Sequence, residues 1–147
     1  LLFNMMTFYF FEFQLEVSIC HWEFGLLYGL SLILSDIPTV VKHKNDFWYR
    51  SLGASGAISA VVFSAILFRP LDGMSLMFLP ISIPAVLFGV LYLVYCSYAS
   101  KKGIGNINHD AHFFGALSGI LITIILVPQI IPFFVHSVTA GVQSLLH

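Results

Sequence analysis

Five apolar stretches, at roughly 1–15, 24–41, 51–68, 78–98 and 111–134, take up most of this chain. A bilayer core of about 30 Å calls for roughly 20 apolar residues per helix, and the last four stretches approach or exceed that length. The connectors between them are short and polar: QLEVSICHWE, KHKNDFWYR, RPLDGMS and SKKGIGNINHD. Only 9% of the residues are charged, against about 25% in a soluble domain. With a mean hydropathy of +0.94, a soluble fold would have too little polar surface to cover its core. The expected architecture is an all-α membrane protein, a polytopic helical bundle forming a single domain over residues 1–147. The tail from about Val135 to His147 is mildly amphipathic and suits a position on the membrane surface.

The net charge of −1 provides no basic field, which argues against a nucleic-acid partner. Cys20 and Cys96 are too few for a disulfide framework and read as ordinary apolar-region residues. The chain opens directly on LLFNMMTFYFF, with neither the charged start nor the small-residue cleavage site of a signal peptide. Its opening reads as the interior of a truncated first span.

Alternation of the spans brings the starts of the odd-numbered ones to one face of the bundle. Asn4, Ser55 and His112 therefore share a depth, although they are far apart in sequence. Cys20 falls toward the opposite face from Cys96. Lys42, Lys44, Arg50, Lys101 and Lys102 lie on the face of Asn4, Ser55 and His112, and only Arg69 lies opposite. By the positive-inside rule this face would be cytoplasmic.

Three groups of residues can carry chemistry. Gly53-Ala54-Ser55-Gly56 opens the third span with small residues, which either let helix backbones approach closely in lipid or expose one serine. His109-Asp110-Ala111-His112 opens the fifth span, and ionisable residues inside a span are costly unless they function. Gly115 and Gly119 follow His112 on its own face, so that face packs against a neighbouring helix. His109 reads as a capping or interfacial residue. Asp110 lies about 200° around the helix from His112 and cannot orient it, so any catalysis would use a Ser–His dyad. A metalloprotease would need H-E-x-x-H. The spacing here is H-D-A-H, with no further His or Cys expected at matching depth, so no metal and no cofactor are expected. The third group is Asn4, a polar residue in an apolar helix, suited either to bridging helices or to donating to an oxyanion.

Together these residues resemble the rhomboid intramembrane serine proteases. That family carries G-x-S-G at the start of its fourth core helix and A-H-x-x-G-x-x-x-G in its sixth, matched here by Gly53–Gly56 and by Ala111-His112 through Gly115 to Gly119. Phe3-Asn4 keeps the end of the H-x-x-x-N motif of the second helix, and Leu15-Glu16 looks like the family's ending of that helix. The resemblance implies that about five helices of a six-helix core are present, the first core helix and an oxyanion histidine falling before residue 1. Two departures stand inside the chain: Glu12 replaces a more usual glycine, and Ser59 stands where many members have a tyrosine packed on the catalytic histidine.

What the resemblance implies is cleavage of single-span transmembrane proteins within the bilayer. Ser55 would be the nucleophile and His112 the base, with Asn4 and the Ser55 amide as oxyanion donors. Gly53, Gly56, Gly115 and Gly119 would permit close approach, while Ala57, Ala60 and Ser64 pack the third span inward. The alternatives are a catalytically inactive rhomboid-like protein that binds transmembrane clients, and a small transporter or cofactor-binding bundle using His109 and His112.

Overall fold

The structure, a computed structural model, describes residues 2–16, 18–46, 54–75, 82–103, 105 and 107–145. Among these, six helices form a bundle: α1 (Leu2–Glu16), α2 (His21–His43), α3 (Ser55–Phe68), α4 (Ala85–Lys102), α5 (His109–Leu126) and α6 (Ile130–Leu145). Between α3 and α4, β1 (Gly73–Ser75) pairs antiparallel with β2 (Ser82–Pro84), Met74 opposite Ile83. By length and composition, α2 and α5 can each cross a membrane.

Helix α3 is the axis of the bundle. It contacts every other helix, and eleven of its fourteen residues are buried. At 1.5 Å per residue it is about 21 Å long, less than a bilayer core. A helix enclosed by protein need not match the lipid, and this one is rich in the small residues that close packing demands. A Cβ on Gly115 would fall on the Gly56 carbonyl, and one on Gly119 on the Ala60 carbonyl. Where a Cβ of Gly56 would stand are the Ser35 side chain and the Ala111 carbonyl. The backbones of α3 and α5 thus touch along two successive turns. Deeper in the same interface the Thr123 hydroxyl lies 2.7 Å from Ser64 Oγ and 2.7 Å from the Gly119 carbonyl, a buried link between the helices.

Helix α2 has its polarity reversed relative to a soluble helix. Its inward stripe of Phe24, Leu27, Ser31, Ser35 and Thr39 becomes polar toward the C-terminus, whereas Leu30, Ile33, Ile37, Val40 and Val41 point outward. Exposed Val90, Leu91 and Val94 on α4 and Leu117, Leu121 and Ile125 on α5 continue this apolar exterior. Such a surface suits hydrocarbon, and of the hydroxyls turned inward Ser35 Oγ donates to the Leu32 carbonyl and Thr39 meets Asn108 of α5, while Ser31 Oγ lies buried.

Two span boundaries differ from the sequence expectation. In the stretch expected to span 78–98, residues 78–81 lie outside the described ones, Ser82–Pro84 form β2 and the helix starts only at Ala85, because a residue preceding proline avoids the α region and Ile83 precedes Pro84. The freed amides of Ala85 and Val86 donate to the carbonyls of Asp72 and Pro70, which fastens the hairpin to α4. The stretch expected to span 111–134 is two helices. Pro128 makes Val127 end α5, and Pro132 is tolerated because it lies in the first turn of α6. The amphipathic tail is the second half of α6, which packs on α3 and α5.

Candidate active site

The start of α5 is held from three directions. Asn108 is its N-cap: its Oδ1 accepts from the Ala111 amide at 3.0 Å, while its amide nitrogen donates to Thr39 Oγ1 of α2 at 3.0 Å. Asp110 is bound by Lys42 Nζ of α2 at 2.6 Å and by the Ser100 hydroxyl of α4. The capping expected of His109 is done by Asn108, and the His109 side chain is buried within the bundle. Asp110, turned toward Lys42 and Ser100, gives its carboxylate to helix assembly.

With α5 fixed in this way and its glycines drawn against α3, His112 Nε2 lies 2.9 Å from Ser55 Oγ. Fifty-seven residues separate the two in sequence, and no other element intervenes. Ser55 is the first residue of α3, so its amide belongs to the turn whose N–H groups lack intrahelical acceptors. That end of a helix favours negative charge. Both side chains are half-buried, sheltered but open on one side. A hydroxyl hydrogen-bonded to an imidazole nitrogen beside free helix amides is an arrangement for nucleophilic attack on a carbonyl.

Residues 1–129 match the family profile of the Rhomboid domain. The chain belongs to the rhomboid family. It is accordingly a membrane protein, and the apolar exterior of the bundle is the surface such a protein presents to lipid. No curated protein and no solved structure shows a significant match to it.

Within this rhomboid the remaining candidate residues fall as follows. Asn4 lies half-buried in the first turn of α1. Leu15 of α1 shares a buried cluster with Val61 and Ala65 of α3, so the two helices pack together. Gly53 lies outside the described residues. Gly56, Gly115 and Gly119 form the α3–α5 crossing described above. Leu15, from the Leu-Glu helix ending, is fully buried in the core.

Two residues at the site are not singled out by the sequence. The first is Tyr92 of α4. Its ring stacks on that of His112, with centroids 6.4 Å apart and planes at 13°, and its hydroxyl lies 2.8 Å from Ser59 Oγ. Ser59 stands where many rhomboids carry a tyrosine; here the aromatic face comes from another helix and Ser59 holds its hydroxyl. The second is Cys96, one turn further along α4. Its sulfur and a ring nitrogen of each of His109 and His112 lie within 4.8 Å of one another. This corrects the expectation of no cysteine at the depth of the histidines. His109, expected to be the more accessible histidine, is the more enclosed at 6% exposure, with the Tyr95 ring of α4 packed edge-on against its own.

Proposed function

We propose that this rhomboid is an intramembrane serine endopeptidase that cleaves single-span transmembrane proteins with a Ser55–His112 dyad, its helices crossing the bilayer several times. The observation that carries the reading is the 2.9 Å hydrogen bond between Ser55 Oγ and His112 Nε2. Ser55 Oγ attacks the scissile carbonyl as Nε2 takes its proton. Charge developing on the carbonyl oxygen is met by the Ser55 amide and by Asn4. The imidazolium returns the proton to the departing amine, and the C–N bond breaks to leave an acyl-serine. Water, activated by the same nitrogen, then hydrolyses the ester and frees the serine. Among the described residues no carboxylate is paired with the base, and Asp110 is engaged by Lys42 and Ser100. The stacked Tyr92 ring limits the tilt of the imidazole instead.

A fluorophosphonate probe tests the reading, because it labels only an activated serine. Wild-type protein in vesicles is expected to be labelled at Ser55 and to cleave a reporter transmembrane helix, and Ser55→Ala to do neither. A folded wild-type protein that takes no label and cuts no reporter would leave the client-binding alternative as the better account. Cleavage by Ser55→Ala would remove the serine mechanism altogether.

A further inference from the structure

We propose that Cys96, His109 and His112 form a binding site for a borderline-soft divalent cation, Zn²⁺ foremost, whose occupation takes His112 out of service as a base. The three ligand atoms lie within 4.8 Å of one another, on two helices that are packed together. In a tetrahedral zinc site with bonds of about 2.0–2.3 Å, such atoms stand roughly 3.4–3.6 Å apart. They need to close by little more than 1 Å on that estimate, within the reach of side-chain rotation. The donor set is one sulfur and two imidazoles, the ligands zinc prefers, and it offers nothing to Mg²⁺ or Ca²⁺, which take oxygen. Cys96 is fully buried and His109 nearly so, so the ligands are held in a low-polarity surrounding that strengthens coordination.

One of the three ligands, His109, borders a cavity open to solvent. A cavity of about 210 Å³ opens between the end of α4 and the start of α5 and is lined by Ala99, Ser100, His109 and Asp110. Asp110 sets a carboxylate at its wall, His109 forms part of its lining, and Cys96 lies one turn beyond Ala99. On binding, the thiol becomes a thiolate and its proton leaves to water.

The consequence for His112 follows from imidazole chemistry. A neutral ring has one nitrogen bearing hydrogen and one with a free lone pair. A cation on Nε2 removes the lone pair that would accept the Ser55 proton. A cation on Nδ1 leaves the hydrogen on Nε2, which then cannot accept one either. Whichever nitrogen is used, the dyad is off until the metal departs. This inhibitory consequence rests on the dyad proposed above; the binding site itself does not.

The test uses the full chain in detergent, titrated with Co²⁺ as a spectroscopic stand-in and then with Zn²⁺, alongside reporter cleavage with and without chelator. One cobalt per chain is expected, with a thiolate-to-cobalt absorption band that Zn²⁺ abolishes. Cys96→Ser should lose that band, and Cys20→Ser, altered at the far end of α2, should keep it. Both Cys96→Ser and His109→Gln should raise the Zn²⁺ concentration for half-inhibition by at least about tenfold, each compared with its own metal-free rate. Mg²⁺ and Ca²⁺ should neither bind in competition nor inhibit. Absence of the band, its survival in Cys96→Ser, or its loss in Cys20→Ser would overturn the site. A band accompanied by undiminished cleavage would overturn the inhibition. A metal-free chain that cleaves nothing would count against the dyad, and the cobalt spectra would still decide the site.

Discussion

The Tyr92 ring lies nearly parallel to that of His112 while its hydroxyl rests 2.8 Å from Ser59 Oγ. One side chain of α4 thereby connects the base with the residue one turn below the nucleophile. Replacing it separates the two contributions. Tyr92→Phe keeps the face and loses the hydrogen bond, and should cost less than about tenfold in kcat/KM. Tyr92→Ala frees the imidazole to tilt, and displacement of a reacting group by about 1 Å costs about 10²-fold. Cleavage kinetics on one reporter would check both, and equal losses would mean that the stack does not hold the ring.

His112 Nε2 lies within hydrogen-bond distance of Ser55 Oγ. In the presence of chelator, His112→Ala should abolish reporter cleavage and fluorophosphonate labelling, whereas His109→Ala should retain substantial turnover. The reverse order under alanine scanning would reassign the base and with it the register of α5.

Glycine-to-alanine changes should divide sharply by position. Gly115 and Gly119 face backbone carbonyls of α3, which cannot rotate aside, so either substitution must push the two helices apart. A thermal midpoint lowered by several degrees and a loss of activity approaching about 10²-fold are expected for each. Gly25 and Gly29 of α2 have nothing within 4 Å of where a Cβ would stand. Alanine there should leave the midpoint unchanged or raise it, since glycine inside a helix costs about 0.5–1 kcal/mol relative to alanine. Thermal unfolding of the four variants in one detergent is sufficient.

Asn108 caps α5 and also ties it to Thr39. Asn108→Ala should cost about 1–2 kcal/mol of stability, while Asn108→Asp, which retains the capping oxygen, should recover most of it. Denaturant unfolding of the pair would show this, and equal loss in both would shift the weight to the amide nitrogen and Thr39.

The site was legible in sequence where two restrictive patterns coincided. Small residues around Ser55 and a histidine followed by glycines at i+3 and i+7 each call for a close helix neighbour, and counting spans brings them to one face. Tyr92 was not legible in that way. It sits in YLVYCSYA with Tyr95 and Tyr98, and periodicity cannot decide which ring of an apolar helix meets a partner when its outer face is apolar too. The same ambiguity hid Cys96: span counting brings it near the face of the histidines, but not its rotation toward them. The break after Leu126 was readable from Pro128 and was overridden by the continuous hydropathy on either side. The hairpin before α4 depends on pairing across a loop, which no local pattern in RPLDGMS announces.

Because α3 is wrapped by the other five helices and stops at about 21 Å, the nucleophile's own support is indifferent to hydrophobic mismatch. Thicker or thinner membranes act on the outer helices and, in the proposed reaction, on a substrate helix that must tilt or stretch to fit, while the seat of Ser55 is carried inside. For the protease proposed above, a sorting step between compartments would therefore alter how deeply a client helix presents its peptide bond, with the Ser55–His112 pair left unchanged.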